Sequence, residues 1–175
     1  MNTDLLLQYR SNRTLTDEKF LKMVRNPLLF KLFLFTKLPA AFIAGCKVKE
    51  VNTQSCSITV PYRWLTQNPF RSTYFAVLSM AAEMSTGMLA LMMTQDSKPS
   101  VSMLVTHLEA DFVKKATGIT TFVCNDGKAM NELVEQAIIT GEGKSFTATA
   151  TGYSQSGEVE AVFKIEWSFK ARLKK

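Results

Sequence analysis

The chain has 175 residues, and its hydrophobic fraction of 46% and charged fraction of 21% are those of an ordinary globular protein. The composition therefore excludes a largely disordered chain, with disorder expected only in the first dozen residues and at Lys174 and Lys175. Three cysteines without paired spacing predict neither a disulfide framework nor a zinc site.

The net charge of +6 is concentrated in the first 50 residues, which hold nine Lys or Arg against four Asp or Glu. Such a region suits a phosphate-bearing ligand, an anionic membrane surface or a simple solvated face. Nucleic acid is disfavoured, because exposed aromatic residues do not interleave with the basic ones and no binding motif is present. No secretory signal opens the sequence, and the unpaired cysteines favour a reducing cytoplasm.

Two helices are predicted ahead of the first strand. The first starts at Thr16, where a capping hydroxyl precedes two acids, and ends before Pro27. The second covers residues 28–38 and is rich in Leu and Phe. We expect these helices to form an extension over residues 1–45 that packs on the domain as a layer or lid. A helix that lies on a membrane surface is the alternative for residues 28–38.

Residues 46–175 are predicted to form a single α+β domain with a long central helix over residues 72–95. This helix is apolar on every side, which is typical of a protein core or a membrane span. Its central Glu83 and the amphipathic strands that follow favour the core. The other predicted elements are a strand or hairpin arm over 47–61, strands at 101–106 and 119–124, a helix capped by Asp126 and ended by Gly141, and two long strands joined by the Ser154–Gly157 turn.

The spacing of Asn68, Tyr74 and Glu83, with the order of elements around them, resembles the hotdog-fold thioesterase superfamily. The family pattern is an asparagine, a His-Gly-Gly helix start six residues on, and an acid nine residues later. Tyr74-Phe75-Ala76 stands here in place of His-Gly-Gly. The resemblance covers about residues 40–170, is greatest to an uncharacterised bacterial branch with extra N-terminal helices, and implies an antiparallel sheet wrapped around the long helix.

The resemblance also implies hydrolysis of an acyl-CoA or similar thioester, with coenzyme A as part of the substrate and with no other cofactor or metal. Glu83 and Asn68 are the implied catalytic residues. Apolar surroundings make a carboxylate more basic, so Glu83 is expected to activate water or to attack directly. The helix start at Tyr74 and Phe75 would hold the carbonyl oxygen. Candidates for contact with the coenzyme A phosphates are Arg71, Lys114 and Lys115.

Nine residues separate Tyr74 from Glu83, which places them about 13 Å apart along the helix. That distance is too great for both to act on one carbonyl within one chain. The two must therefore meet from different subunits. The resemblance implies the same arrangement, since hotdog domains pair with their active sites across the dimer interface, as a homodimer or as part of a tetramer.

Several alternatives stay open. Glu83 could be a buried acid that only fixes packing, and Asn68 could be a turn residue before Pro69. The bulk of Phe75, where related enzymes have glycine, could block the substrate.

The chain could also be a non-catalytic acyl- or lipid-binding module, with residues 28–38 covering an apolar tunnel. Dehydratase-like activity is disfavoured, because no catalytic histidine aligns. One strand face carries three possible metal ligands, although a solvated face is the simpler interpretation: His107, Glu109 and Asp111.

Overall fold

The structure is a computed structural model that describes residues 3–172. The predicted disorder at Lys174 and Lys175 lies outside these residues. A one-turn 3-10 helix, Trp64–Thr66, precedes the central helix. The helices are α1 (Thr3–Arg25), α2 (Pro27–Lys37), α3 (Pro39–Ala44), α4 (Phe75–Thr94) and α5 (Gly127–Thr140). The strands are β1 (Lys47–Val51), β2 (Cys56–Pro61), β3 (Val101–Phe112), β4 (Ile119–Cys124), β5 (Lys144–Tyr153) and β6 (Val159–Ala171).

The six strands form one antiparallel sheet in the order β1-β2-β4-β5-β6-β3. Helix α4 packs against β2, β4, β5, β3 and β6, so the sheet wraps around it. By length and composition α4 would suffice to cross a membrane, but most of it is buried inside the protein. The predicted α+β class and the core position of this helix are therefore confirmed.

Helix α1 starts well before the predicted Thr16. The hydroxyl of Thr16 bonds back to the carbonyl of Asn12 one turn earlier, as in a helix interior. Tyr9 is completely buried, and its hydroxyl donates to the carbonyl of Met93 on α4 at 3.1 Å. The predicted helix start was wrong, and so was disorder for residues 3–12, because tertiary packing of Tyr9 orders this segment.

Helix α2 has the predicted position. The Asn26 side chain accepts hydrogen bonds from the amides of Leu28 and Leu29, and Pro27 occupies the first helical position, where its missing N–H costs nothing. Phe30 and Leu34 face the core. After a break at Leu38 the chain continues in the short helix α3, which the sequence pattern did not predict.

The predicted strand over 47–61 is a hairpin of β1 and β2. Helix α5 ends at Gly141 as predicted, in a left-handed conformation with φ of 72°. Asp126 precedes α5, but its carboxylate accepts the amide of Thr149 on β5 at 2.7 Å rather than a helix amide. The predicted capping bond was therefore wrong, because a neighbouring strand supplies a competing donor.

All three cysteines are buried thiols, two of them opposite each other on neighbouring strands: Cys46, Cys56 and Cys124. Burial raises the pKa of each thiol to about 12, because the apolar surroundings disfavour the charged thiolate.

Candidate active site

A groove of about 580 Å³ lies at the start of α4, between the loop that leads into the helix and the end of β3. Five of the predicted site residues line it, namely Asn68, Tyr74, Phe75, Lys114 and Lys115. The structure thus brings together residues that the sequence separates by more than 40 positions. Arg71 belongs to the same loop but does not line the groove.

Asn68 builds the loop at the edge of this groove. Its side-chain oxygen accepts hydrogen bonds from the amides of Phe70 and Ser72, at 2.9 and 3.2 Å. Its side-chain nitrogen donates to the hydroxyl of Ser72 at 3.0 Å. These bonds resemble an Asx turn and hold Arg71 in a left-handed conformation with φ of 58°. The loop role of Asn68 is observed, and its contact with substrate stays a prediction.

Helix α4 begins at the groove, which Tyr74 and Phe75 line, and no side chain caps its first amides. The amide of Tyr74 donates to the carbonyl of Thr66 at 2.8 Å, so it is not free. Within residues 3–172, the amides of Phe75 and Ala76 have no hydrogen-bond acceptor. Unpaired amides at the positive end of a helix suit a negatively charged oxygen. The candidate oxyanion donors are therefore Phe75 and Ala76.

Aromatic rings form a continuous row along one wall of the groove. Phe75 contacts Tyr74 and Phe112 edge to face, with ring centroids 4.9 and 6.4 Å apart. Phe112 continues the row to the buried ring of Phe163 at 5.6 Å. Phe75 thus forms part of the groove wall, and the effect of its bulk on a substrate stays a prediction. Sequence reasoning missed Phe112, because the register that places it opposite the core residue Ala161 on β6 is seen only in the structure.

Glu83 lies two and a half turns further along α4, beside a separate cavity of about 420 Å³. Burial raises the pKa of its carboxyl group, and no residue in 3–172 offers the carboxyl a hydrogen bond. A Cβ added at Gly87 would lie 3.0 Å from Oε1 of Glu83, so the glycine leaves space for the carboxylate. Apolar residues dominate the cavity, including Phe33 and Leu38 from the N-terminal helices.

The groove and the Glu83 cavity share no lining residue. One subunit alone therefore does not place Glu83 against the amides of Phe75 and Ala76. This agrees with the separation of about 13 Å expected from the helix rise.

Strand β3 forms an outer edge of the sheet, with a bulge at Thr106. Beyond the bulge, Leu108 and Phe112 lie opposite Ile165 and Ala161 of β6, which are completely buried. Leu108 and Phe112 are nevertheless 43% and 51% exposed. The core side of β3 is thus left half uncovered.

The family model for a domain of unknown function, DUF4442, matches residues 27–168. The chain belongs to the DUF4442 family. No curated protein matches its sequence. The match begins at α2 and so includes α2 and α3 but not α1.

Solved structures with the same fold come from several bacteria. PA5026 of Pseudomonas aeruginosa, a protein of unknown function with a suggested thioesterase activity, has a TM-score of 0.70 at 17% identity, over 84% of this chain and 97% of its own. The thioesterase HI1161 of Haemophilus influenzae has a TM-score of 0.59 at 11% identity, over 82% of this chain and 90% of its own. The E. coli PaaI protein of the phenylacetic acid degradation operon has a TM-score of 0.58 at 11% identity, over 81% of this chain and 88% of its own. The hotdog fold of this DUF4442 chain is thereby confirmed.

Basic residues of the DUF4442 chain flank the groove. Lys114 forms an ion pair with Glu158 at 2.7 Å, whereas Lys115 has no ion pair within the described residues. Arg71 is exposed beside them. Their contact with a phosphate stays a prediction.

The suggested metal ligands on β3 are exposed: His107, Glu109 and Asp111. Glu109 pairs with Lys164 across the strands at 3.6 Å. Residues 3–172 of the DUF4442 chain contain no group of three His, Cys, Asp or Glu side chains that could hold a metal ion. A solvated strand face accounts for all three.

Proposed function

We propose that this protein hydrolyses an acyl-CoA or similar acyl thioester at a site shared by two subunits. One observation carries the proposal. The same helix offers two unpaired amides at its start, those of Phe75, which lines the aromatic groove, and of the next residue Ala76, and a half-buried carboxylate without a hydrogen-bond partner in residues 3–172, Glu83. The thioesterase names of several solved structures with this fold give further support.

In the proposed reaction the thioester carbonyl oxygen accepts hydrogen bonds from the amides of Phe75 and Ala76. Glu83 of the partner subunit takes a proton from a water molecule, whose oxygen attacks the carbonyl carbon. The negative charge that develops on the carbonyl oxygen is stabilised by the two amides and by the helix dipole. The C–S bond then breaks, and the proton held by Glu83 passes to the leaving thiolate.

The proposed dimer forms through the β3 edges. An open edge strand has unpaired amides and carbonyls along one side and readily pairs with a second strand. The half-exposed Leu108 and Phe112 would be covered by the partner. In the proposed dimer the groove of each subunit would face the partner's α4, as the separation of Phe75 and Glu83 requires. A tetramer built from such dimers and a cytoplasmic location stay predictions.

The coenzyme A part of the substrate would lie at the open end of the groove. Lys115 is exposed there, and Arg71 is exposed on the loop that leads into α4. Lys114 could exchange its exposed pair with Glu158 for a phosphate, since such surface pairs contribute little. The acyl chain would then extend along the row of rings towards Phe112.

The test is release of free thiol from acyl-CoAs of graded chain length by the purified protein. Glu83→Gln keeps the shape of the side chain but removes the base, and we expect a loss of activity of at least a hundredfold with the dimer intact. Glu132→Gln on α5, which lines neither cavity, is the control and should leave the rate unchanged. A fully active Glu83→Gln variant would refute the catalytic role of this residue.

A second candidate is a non-catalytic acyl-binding protein. The apolar cover that Phe33 and Leu38 place over the Glu83 cavity favours it. In that case the wild-type protein releases no thiol from any acyl-CoA, but retains a fatty acyl compound through purification that mass spectrometry of the extracted protein identifies.

A further inference from the structure

Helix α2 has apolar residues on two opposite sides. Phe30 and Leu34 point into the core and are almost completely buried. On the other side, Leu28, Leu32 and Phe35 lie at positions i, i+4 and i+7, and they are 76%, 58% and 61% exposed. Positions with this spacing form one stripe along a helix. A helix that only covers a core would carry polar residues there.

The stripe continues onto α3. The rings of Phe35 and Phe42 meet edge to face, 5.5 Å apart, which fixes the two helices side by side. Ile43 follows and is also exposed. Scattered exposed apolar side chains are normal, but a contiguous group of this kind marks an interaction surface. We name Leu28, Leu32, Phe35, Phe42 and Ile43 the α2–α3 surface.

The charged residues on and beside these two helices are positive. Residues 25–49, which carry α2 and α3, contain five Lys or Arg and no acid, and the Arg63 guanidinium donates to the carbonyl of Ile43. Two of the lysines, Lys31 and Lys37, lie on α2 itself, and neither forms an ion pair within residues 3–172. The partner that fits this surface therefore has an apolar layer that the exposed side chains can enter, together with negative charge.

We propose that the α2–α3 surface docks on an anionic lipid bilayer. Exposed Leu and Phe side chains would enter the boundary between headgroups and acyl chains, while the lysines contact anionic headgroups. A second copy of this chain fits less well, because a two-fold contact places identical patches face to face and would oppose the basic residues to one another. The proposal is independent of thioester hydrolysis.

The test is co-sedimentation of the full chain, without substrate, with phosphatidylcholine vesicles that contain or lack phosphatidylglycerol. We expect binding to the anionic vesicles, because each lysine at the surface raises the partition coefficient about fivefold. High salt should abolish binding, because it screens this attraction. The double variant Leu32→Ser/Phe35→Ser should bind about tenfold less for each side chain removed. The control Leu15→Ser changes an equally exposed residue of α1 (63%) and should bind as the wild type does.

Exposed positions tolerate polar residues, so thermal melts of these variants should match the wild type. Wild-type protein that stays in the supernatant with anionic vesicles would overturn the proposal. So would a double variant that binds as strongly as the wild type. A double variant that loses an oligomer instead, seen by light scattering, would assign the surface to contact between copies and overturn it as well.

Discussion

Gly87 lies one helical turn after Glu83, and the space left by its missing side chain is the space beside the Glu83 carboxylate. An added Cβ would lie 3.0 Å from Oε1 of Glu83 and 3.3 Å from the ring of Trp167. The indole is itself held by a hydrogen bond to Thr86 at 3.0 Å. The flexible carboxylate, rather than the ring, would therefore give way.

Gly87→Ala is accordingly expected to displace Glu83 and to lower kcat for thioester hydrolysis about tenfold. Stability should change by less than about 1 kcal/mol, because the better helix propensity of alanine offsets the crowding. The matched control is Gly143→Ala, where an added Cβ meets no atom. Steady-state rates and thermal melts of both variants test this, and an unchanged kcat in Gly87→Ala would contradict it.

The pH dependence of activity should reflect the burial of Glu83. Burial raises the pKa of its carboxyl group, and a general base acts only when it is ionised. We therefore expect kcat/KM to fall as the pH is lowered through a value above the pKa of an exposed glutamate. A pH profile that stays flat down to the pKa of an exposed glutamate would exclude a buried carboxylate as the base.

The same burial predicts the stability of Glu83→Gln. Because the folded-state pKa of Glu83 is raised, its contribution to stability is present at low pH and is lost as the pH rises through that pKa. Glutamine carries no charge at any pH, so the variant should be more stable than wild type at pH 8, with the difference shrinking in acid. Urea unfolding at both pH values measures this, and a destabilised variant at pH 8 would instead indicate a favourable ionic partner for Glu83.

The oxyanion role can be isolated at a single position. Phe75 is the first residue of α4, where proline fits the backbone and removes only an N–H that the helix does not use. Phe75→Pro loses both the ring and the amide, whereas Phe75→Ala loses the ring alone. The kcat of Phe75→Pro should therefore be about 10²- to 10³-fold lower than the kcat of Phe75→Ala. Equal rates in the two variants would show that this amide does not hold the reacting oxygen.

Pairing through β3 can be tested at Leu108. Leu108→Lys puts a charge on the half-exposed core side of the edge strand, so we expect monomers in light scattering together with a loss of thioesterase activity. Ile119→Lys on β4 is the control, since Ile119 is 41% exposed but does not lie on β3. Active monomers of Leu108→Lys would contradict a shared site.

The central features of the fold could be predicted because the local pattern decided them. The segment 72–95, with apolar residues on every side of a helix and a single charge, was expected in the core, and the alternating segments were expected to be strands. The start of α1 could not be predicted, because Thr16 carries a good capping signal that tertiary packing of Tyr9 overrides. Asp126 shows the same effect, since its carboxylate bonds to β5, which is distant in the sequence.

The candidate site was predictable only in part. Spacing along α4 separated Tyr74 from Glu83 correctly, because helix geometry fixes that distance. Spacing did not show that Asn68 is engaged by its own loop or that the free amides are those of Phe75 and Ala76, because both depend on which acceptors the folded chain brings near. Phe112 reaches the groove through strand register, which a single sequence does not specify.

The three buried thiols have a practical consequence for the enzymology. Thiol-reactive dyes, which report free coenzyme A at mildly alkaline pH, react with thiolates. The three cysteines, Cys46, Cys56 and Cys124, are buried and have pKa values of about 12. They will therefore not react with the dye as long as the chain is folded. A slow background signal from the protein alone would then measure unfolding, so one cuvette can follow turnover and the integrity of each variant.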